Sequence, residues 1–449
     1  MKSIAQIAAE LEGYDPRALS VGAVGAFLEQ LVEPVSEAEF VRLQEALGRV
    51  LAEDIVSAIS VPPHDNSAMD GYAFDGAQLA PGRPLALKVV GTALAGAAWR
   101  GRVGPGECVK IMTGAVMPAG LDTVVPQELA QVAGDGVTVP AGLLARGDNR
   151  RLLGEDLLAG RPALQKGERL APAALGLVAS LGLGEVRVTR RLRVAYFSTG
   201  DEILSLGEPP REGAVYDSNR YTALGLLTRL GCDVIDLGVV RDDPALLEAA
   251  FRQAAVQADA IITSGGVSVG EADHTKAMMK QLGDVAFWRI AMRPGRPMAV
   301  GRIAAAPEFD ANSASSAYSA SATSYADNSK QTILFGLPGN PVAVMVTFLA
   351  FVRPALLRMM GARPEAAPLL RAASAQAIKK KPGRTEYQRG IVTAQPDGQL
   401  TVRTTGNQGS GVLSSMVQAN GLIVLAHDQG DVAVGEAVSV MMFEGVLGG

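Results

Sequence analysis

Short apolar segments alternate with helical segments from Arg193 onward, and this alternation is the strongest constraint on the fold. Three near-continuous apolar runs predict strands, and two segments between them predict helices: RVAYFSTG, CDVIDLGVV and ADAIITSGG for the strands, TALGLLTRLG and PALLEAAFRQAAVQ for the helices. Strands separated by helices of about 10–15 residues form right-handed βαβ units in a parallel sheet that is covered on both faces. The sequence therefore predicts an α/β domain that binds ligands at the carboxyl ends of its strands.

The regions on either side of this domain have different patterns. Short apolar runs broken by Gly, Pro and Asp between Ile55 and Arg146 predict a small β domain. The segment Ser36–Glu39 resembles a capping box and predicts a helix after it, and a second helix is predicted over Leu170–Gly182. We expect a helical layer that the β domain interrupts. Beyond about Arg363, short alternating segments predict a terminal β domain.

One segment lacks any hydrophobic period. Ala304–Lys330 is dominated by Ala, Ser and Asn, and it cannot bury enough apolar surface to offset its ordering entropy. We expect it to be a flexible insertion in a loop between two strands.

Composition excludes several classes of protein. Lys and Arg number 41 and Asp and Glu 46, so the net charge of −5 argues against a nucleic-acid-binding protein. The two cysteines suit neither a disulfide framework nor a metal motif, and the three isolated histidines leave little material for a zinc site. Any catalytic metal is therefore expected on carboxylates.

No targeting or membrane segment is expected. Glu10 and Glu12 interrupt the apolar start of the chain before a secretory signal could form. Pro341–Val352 is strongly apolar but shorter than the roughly 20 residues that span a bilayer, and we expect Arg353 and Pro354 to end it. It is interpreted as a buried helix, and the protein is expected in the cytoplasm.

Two predicted strands end in loops that could carry chemistry. In STGDEIL, the amides of Thr199 and Gly200 are followed by the carboxylates of Asp201 and Glu202, which suit a hard cation or a general base. The alternative is a helix N-terminus at which the two acids complement the dipole. The presence of acids on a second strand-end loop favours a site.

That second loop is SGGVSVGEADHTK, over Ser264–Lys276. Its glycines allow close approach to an anion, and Asp273 lies at the entrance of the helix that follows. Together with Asp242, the loop indicates a nucleotide or phosphate ligand with Mg²⁺ held by carboxylates.

The segment WRIAMRPGRPMA carries the clearest cationic feature. If it is extended, Arg289 and Arg293 point to one face, and with Arg296 they could clamp an oxyanion. Arginines on an exposed strand are more often only solvated, but a cluster beside a Gly-rich loop in an acidic chain favours binding.

Other motifs allow both a structural and a functional interpretation. In GLPGNPV, Pro338 and Pro341 fix φ while Gly339 and Asn340 offer amides, which could equally be a helix start. The terminal domain offers polar groups that could contact a phosphorylated ligand or lie in surface loops: Arg384, Arg389, Ser410, Ser414 and Ser415. The first half has clusters that suit either tight turns or sites: Asp65 to Asp70, Thr113 with Gly114, and Glu155 with Asp156.

These motifs occur in one order along the chain: DNSAMDGYA, IMTG, GED, STGDE, YDSN, RDDP, GGVSVGEAD, PGRP, GLPGNP, YQRG and QGSG. In that order the chain resembles the bacterial molybdopterin molybdenumtransferases, the MoeA-type enzymes, from about Pro16 to the C-terminus. The resemblance implies an elongated homodimer and four domains: a helical layer at 1–53 and 148–186, an inserted β domain at 54–147, a molybdopterin-binding α/β domain at 187–366 and a C-terminal β-barrel-like domain at 367–449.

The resemblance also implies an activity. The enzyme would insert molybdenum from molybdate into adenylylated molybdopterin and release AMP, with Mg²⁺ as the divalent cation. Cationic forks, amide cradles and a carboxylate-held metal are the groups that this chemistry requires. The adenylyltransferase of the same pathway and the downstream maturation proteins of molybdoenzymes are expected partners, and nucleic acid and membrane are not.

Residues and resemblance together give a hypothesis for the site. Glu202, Asp242 and Asp273 would hold the cation. Catalytic roles are assigned to these three and to Asp70, Thr113 and Asp156, which would face the partner subunit. Ligand-binding roles are assigned to Ser198, Thr199, Gly200, Asp217, Ser264, Gly265, Gly266, Ser268, Gly270, Arg289, Arg293, Arg296, Pro338, Gly339, Asn340, Pro341, Arg389 and Ser410.

The chain departs from the family at two positions of this set. Members often carry Lys where this chain has Arg289 and Arg293, and the two side chains are not equivalent at a tight anion site.

Two other functions compete with this hypothesis. A molybdopterin adenylyltransferase shares a similar α/β domain but usually consists of that domain alone. A dimeric scaffold or carrier would not need the acids that this chain keeps, such as Asp70, Glu202 and Asp273.

Overall fold

A computed structural model describes residues 2–267, 274–305 and 331–444. The chain forms two compact units. The larger unit contains residues 1–39, 48–52 and 188–449, and the smaller unit contains residues 40–47 and 53–187. The predicted residues Ser268, Gly270 and Asp273, and the insertion from residue 306 to 330, lie outside the described residues.

The smaller unit is built around a six-stranded sheet. In spatial order its strands are Thr123–Pro126, Gly71–Phe74, Glu107–Ile111, Leu85–Ala93, Gly136–Val139 and Gln131–Ala133. Two small antiparallel pairs accompany it, Asn66–Ser67 with Arg150–Arg151 and Ile55–Val56 with Pro162–Leu164. Two 3₁₀ turns, Leu43–Glu45 and Gly76–Gln78, and the helix Pro172–Ser180 complete the unit. The β character expected after Ile55 and the helix expected within Leu170–Gly182 are confirmed.

The helix predicted after Ser36 is wrong. Ala38–Arg42 is a strand, and only the single 3₁₀ turn follows it. The amide of Leu43 donates to the carbonyl of Gly184 at 2.9 Å, so a contact distant in sequence outweighs a weak helical period. A capping box does occur at Ser3, where the Ser3 hydroxyl accepts from the Gln6 amide and the Gln6 side chain accepts from the Ser3 amide.

The larger unit contains a six-stranded central sheet. Its strands in spatial order are Asp233–Val240, Arg193–Thr199, Ala260–Ser264, Gln331–Leu337, Pro297–Ala304 and Gly283–Arg289. The first four are mutually parallel, as predicted, whereas Pro297–Ala304 runs antiparallel to both of its neighbours. The strands that flank the predicted insertion are therefore adjacent and antiparallel.

Helices cover both faces of the central sheet, as predicted from its apolar strands. Val194 and Tyr196 pack with Ser218–Leu230 and the helix that begins at Pro341, whereas Ala195 and Phe197 pack against Pro244–Gln257 and His274–Leu282. The N-terminal helices Ile4–Glu10 and Val21–Leu31 join the first of these cores. The remaining short strands are Glu185–Thr189, Ile203–Leu204 and Val215–Tyr216.

The helix at Pro341 is buried, as predicted, but it does not end at Arg353. It runs from Pro341–Thr347 through a π-helical turn at Phe348–Val352 into Arg353–Met359. Pro354 lies in the first turn of the last segment, where a missing N–H disrupts least. The whole helix is long and apolar enough to cross a membrane, but 67% of it is buried inside the protein, as in a core helix.

The C-terminal region is a closed five-stranded barrel, which confirms the β domain predicted from its alternating segments and the barrel-like form implied by the resemblance. The strands Thr385–Ala394, Leu400–Thr404, Leu369–Ser374, Ala437–Met442 and Gly421–Leu425 pair in this order, and the last pairs again with the first. The short helix Ser414–Gln418 precedes the strand Gly421–Leu425. Met292–Arg293 adds a parallel edge to Thr385–Ala394, so a segment of the α/β region is hydrogen-bonded to the barrel.

Candidate functional site

A cleft of about 820 Å³ opens in the larger unit where the carboxyl ends of the parallel strands meet the barrel. The strand-end loops supply Thr199, Gly200, Glu202, Asp242, Gly265, Gly266, Val267, Pro338, Gly339 and Asn340. A second group of lining residues consists of Met292–Pro297, with Arg384 and Gln408–Ser410 from the barrel. Residues of the predicted strand-end loops therefore line one cleft.

The Gly-rich loop approaches its neighbour too closely for a side chain. Gly265 has φ of +93°, and a Cβ at this position would lie 2.4 Å from the carbonyl oxygen of Thr199. The Gly265 amide donates to the Leu337 carbonyl at 3.1 Å. Glycine thus lets the ends of three adjacent strands approach one another at the floor of the cleft.

Two carboxylates lie on the sheet side of the cleft, Glu202 and Asp242. Among the described residues, the hydrogen bonds of Asp242 are long: its Oδ1 accepts from the Thr275 hydroxyl at 3.3 Å, and its amide donates to Asp201 at 3.3 Å. Asp201 does not line the cleft. Within the described part of the chain, no cluster of three or more His, Cys, Asp or Glu side chains could hold a metal by itself.

Three arginines, Arg293, Arg296 and Arg384, also line the cleft and belong to the second group of residues. Arg289 is exposed and does not line the cleft, so the expected pairing of Arg289 with Arg293 on one extended face is wrong. The strand ends at Arg289, and the Ile290 amide donates to the Arg296 carbonyl at 2.7 Å, which turns the backbone. As a result, Arg289 belongs to the central sheet and Arg293 to the edge of the barrel.

Arg389 lies behind the cleft wall. It is 1% exposed, and its guanidinium donates to the Ser415 hydroxyl and to the carbonyls of Asn407 and Gly409. Burial, with a smaller contribution from Arg293, lowers its pKa to about 10. The structure therefore places Arg389 where it holds the 407–409 loop, and the neighbouring Ser410 lines the cleft directly.

Ser198 and Ser264 lie below the cleft floor. Both are buried, and with Tyr196 they form a closed set of hydroxyl contacts of 2.7 to 3.1 Å. Burial raises the pKa of the Tyr196 phenol well above its usual range. These groups join two neighbouring strands just before their loops begin, and they do not line the cleft.

Asp217 and Pro341 both lie at the N-terminal ends of helices. Asp217 caps the helix Ser218–Leu230 by accepting from the Arg220 amide, and Pro341 starts the helix after Asn340. The side chain of Asn219 donates to the Gly339 carbonyl at 2.6 Å. The three cleft residues of the GLPGNP loop, Pro338, Gly339 and Asn340, are thus fixed by a buried helix start.

The predicted residues Asp70, Thr113 and Asp156 lie in the smaller unit. Asp70 Oδ1 accepts from both the amide and the hydroxyl of Thr113, each at 2.7 Å, and these two bonds lower the Asp70 pKa. Asp65 accepts from the Leu153 amide at 2.8 Å. Asp156 is exposed, and its amide donates to the Val61 carbonyl.

Several residues of the cleft are absent from the predicted set. They are Thr275, Met292, Pro294, Gly295, Pro297, Ala343, Gln408 and Gly409. Val267 also lines the cleft and lies in the Gly-rich loop predicted to bind the ligand, and Arg384 is among the polar groups predicted either to contact a phosphorylated ligand or to lie in a surface loop. Arg384 lies within the motif PGRTEYQRG, and Gln408 and Gly409 lie within QGSG. These residues reach the cleft because the barrel pairs with Met292–Arg293, a contact that the motifs alone do not predict.

Three family models together match most of the chain. Residues 19–182 match the MoeA N-terminal region (domain I and II), residues 195–358 match a "Probable molybdopterin binding domain", and residues 371–443 match the MoeA C-terminal region (domain IV).

Individual relatives agree with these models. A molybdopterin molybdenumtransferase of Haemophilus influenzae is 41% identical over 94% of this chain and 97% of its own length. A protein of the same name from Bacillus subtilis is 32% identical over 90% of each chain. The crystal structure of a molybdopterin biosynthesis MoeA protein from Pyrococcus horikoshii OT3 superposes with a TM-score of 0.76 at 26% identity, covering 95% of this chain and 100% of that one.

Proposed function

Because the chain belongs to the MoeA family of molybdopterin molybdenumtransferases, we propose that its cleft binds adenylylated molybdopterin and molybdate. The product is the molybdenum cofactor. In this reaction, water cleaves the phosphoanhydride bond and releases AMP. The two dithiolene thiols of the pterin form Mo–S bonds, and their protons leave with one oxygen of molybdate as water.

The observation that carries this proposal is that one cleft is lined by both carboxylates and guanidinium groups. Glu202 and Asp242 come from the strand-end loops, which form its acidic side, and Arg293, Arg296 and Arg384 come from Met292–Pro297 and the barrel, which form its basic side. Molybdate and phosphate are oxyanions, which guanidinium groups and backbone amides bind well. A cleft of about 820 Å³ has room for a nucleotide-sized substrate.

The residues present also fit Mg²⁺. Proteins commonly hold this ion with one or two carboxylates, and substrate phosphates and waters supply the other ligands. Glu202 and Asp242 would provide the carboxylates, and Asp273 is proposed as a third, although it lies outside the described residues. When bound, the cation would neutralise phosphate charge and polarise a phosphoryl oxygen.

The chain's own groups would orient the two substrates. The amides of Gly266 and Val267 would bind the phosphates, and Arg293, Arg296 and Arg384 would bind molybdate or a phosphate. Ser410 and the 407–409 loop, which Arg389 holds in place, would close the other end of the site.

The direct test is mass-spectrometric detection of AMP and molybdenum cofactor from purified protein given adenylylated molybdopterin, Mg²⁺ and molybdate. Cofactor should form only with molybdate. Asp242→Asn should abolish its formation, whereas Asp233→Asn, at the opposite end of the same strand, should not. AMP release without molybdenum insertion would contradict the transferase reaction, and binding without either product would favour a carrier or scaffold.

We further propose a cytoplasmic homodimer in which Asp70, Thr113 and Asp156 act on the partner subunit's substrate. The paired Asp70 and Thr113 form an ordered polar group in the smaller unit, and they match family site motifs. Mixed dimers of Asp70→Ala and Glu202→Ala chains should then recover activity that neither variant has alone. A monomer in analytical ultracentrifugation, or no recovery in mixed dimers, would refute this arrangement.

The proposed partners follow from the reaction. The adenylyltransferase that makes the unstable substrate and the proteins that mature molybdoenzymes would exchange ligands with this enzyme. Co-purification of the tagged chain with either class tests this proposal.

A further inference from the structure

Arg384 lies at the barrel side of the cleft and is backed by a buried carboxylate. Its Nε and Nη2 donate to Oε1 of Glu386 at 2.8 and 2.7 Å. The Glu386 side chain is 2% exposed, whereas that of Arg384 is 38% exposed and lines the cleft. Oε2 of Glu386 accepts from the Gln388 side chain at 3.1 Å, so both carboxylate oxygens are engaged.

The pairing of strands at the edge of the barrel places a second cleft arginine, Arg293, beside Glu386. Glu386 is the register partner of Arg293, and the Thr385 amide donates to the Ala291 carbonyl at 2.9 Å. Arg384 and Arg293 are thus carried by two hydrogen-bonded segments of backbone at the edge of the barrel. Their spacing is set by this pairing rather than by flexible loops.

The chemistry of the pair points to an anion in the cleft. A guanidinium has five N–H donors in one plane, and Glu386 engages only Nε and Nη2 of Arg384. The Nη1 group of Arg384 has no protein partner among the residues that the structure describes. A buried carboxylate behind an arginine fixes the orientation of the fork, and a fixed fork binds a tetrahedral oxyanion more tightly than a mobile one.

We propose that Arg384 is a substrate-binding residue that contacts a tetrahedral oxyanion, and that Glu386 is the positioning residue that orients it. This inference rests on the proposed function, because it places the oxyanion in the same cleft. Two sources share the chemistry: molybdate itself, and the phosphate that joins AMP to the pterin.

Direct binding measurements separate the two sources. Molybdate and AMP are titrated independently into the purified full chain by calorimetry, for wild type, Arg384→Gln and Arg384→Lys. Loss of the fork should weaken one of the two ligands by about 10- to 100-fold, the amount expected for a charged hydrogen bond. Weaker molybdate binding would assign the fork to molybdate, and weaker AMP binding would assign it to the phosphate. Arg384→Lys keeps the charge, so an intermediate affinity would indicate that fork geometry contributes.

A matched control exists on the same barrel. Arg403 is exposed on the strand Leu400–Thr404 and does not line the cleft. Arg403→Gln should leave both affinities at their wild-type values. If Arg384→Gln, folded by circular dichroism, behaves like Arg403→Gln with both ligands, the proposal for Arg384 is overturned.

The role of Glu386 needs a measurement that a purely structural residue would not affect. In a double-mutant cycle, Glu386→Gln should weaken the same ligand as Arg384→Gln, and it should have no further effect when Arg384 is already Gln. Additive losses would contradict positioning. Should Glu386→Gln fail to fold, Gln388→Leu, which removes the other partner of the carboxylate, is used in the same cycle.

The ligand-binding results do not depend on whether the protein forms cofactor, so the inference and the proposed function can fail separately. A wild type that forms no cofactor but binds molybdate or AMP through Arg384 would refute the proposed function and keep the inference. An active wild type whose affinities for molybdate and AMP do not depend on Arg384 would refute the inference and keep the proposed function.

Discussion

The two sides of the cleft are built in different ways. On the acidic side, the Asp242 carboxylate accepts one hydrogen bond of 3.3 Å from the residues that the structure describes, so these residues hold it lightly. On the basic side, Arg384 donates twice to a buried carboxylate, and Arg293 belongs to a strand paired with the barrel. A lightly held carboxylate can adjust to a cation and the phosphates that arrive with it, whereas a fixed guanidinium selects the shape of an oxyanion.

The largest effect is expected where the acidic side depends on backbone packing. In Gly265→Ala, the new Cβ would lie 2.4 Å from the Thr199 carbonyl in a backbone region that favours glycine. The loop must shift, and we expect cofactor formation to fall by about 100-fold, since small displacements of binding groups have effects of that size. Steady-state rates measure this fall.

A second glycine variant serves as the control. Gly207 also has positive φ, at +90°, but a Cβ there meets no atom within 4 Å. Gly207→Ala should therefore keep most of the activity. Equal losses in both variants would mean that backbone strain, not crowding of the cleft floor, causes the effect.

The next prediction concerns the cation. Glu202→Gln removes one of the two carboxylates of the acidic side, and the Mg²⁺ concentration for half-maximal rate should rise by about tenfold. Glu208→Gln is the control, because Glu208 follows in the same segment but does not line the cleft. An unchanged Mg²⁺ requirement in Glu202→Gln would show that the acidic side does not hold the ion through this residue.

The sequence predicts the acidic side better than the basic side. Thr199, Gly200, Glu202 and Asp242 follow directly from apolar strands, because parallel strands bring their carboxyl ends to one edge. The basic wall depends on pairing between Met292–Arg293 and the barrel, about 90 residues later in the chain, and no local pattern encodes that pairing.

Particular failures have the same cause. The predicted pairing of Arg289 with Arg293 requires a continuous extended strand, and the turn at Ile290 separates the two residues. Arg389 matches a family motif, but its burial behind the 407–409 loop follows only from how the barrel closes. The helix expected after Ser36 does not form, because the Leu43 amide is hydrogen-bonded to the carbonyl of Gly184, which is also distant in sequence.

A smaller effect is expected beneath the acidic side. Tyr196→Phe removes the phenol that joins Ser198 to Ser264, while the two serines keep their mutual contact of 3.1 Å. The free energy of unfolding should fall by about 1–2 kcal/mol, the cost of losing buried hydrogen bonds. Denaturant unfolding measures this change.

Tyr221→Phe is the matched control, since Tyr221 is exposed and the same hydroxyl is removed. If both variants lose equal stability, the buried hydroxyls do not brace the strand ends. If only Tyr196→Phe is less stable yet keeps its Mg²⁺ requirement, the acidic side tolerates small movements of its floor, as its light hydrogen bonding suggests.

The smallest effect is expected at Asp70, whose carboxylate lies outside the cleft and accepts two hydrogen bonds from Thr113. The backbone amide and then the hydroxyl of Thr113 lower the pKa of Asp70. A lowered folded-state pKa stabilises the protein above the unfolded value of about 3.9, and this contribution is lost as the pH falls through the folded pKa. Thr113→Val removes only the hydroxyl bond, so the Asp70 pKa should rise part of the way towards its ordinary value.

Carbon-detected NMR titration of the Asp70 carboxyl measures that rise. Asp431, whose pKa is lowered by Lys379 in the barrel, should not change in Thr113→Val. Because Asp70 is only partly buried, the accompanying loss of stability should be small and visible only above the pH at which the carboxyl titrates. An unchanged Asp70 pKa would mean that the amide alone anchors the carboxylate, and Asp70 would then resemble the lightly held acids of the cleft more than the fixed arginines.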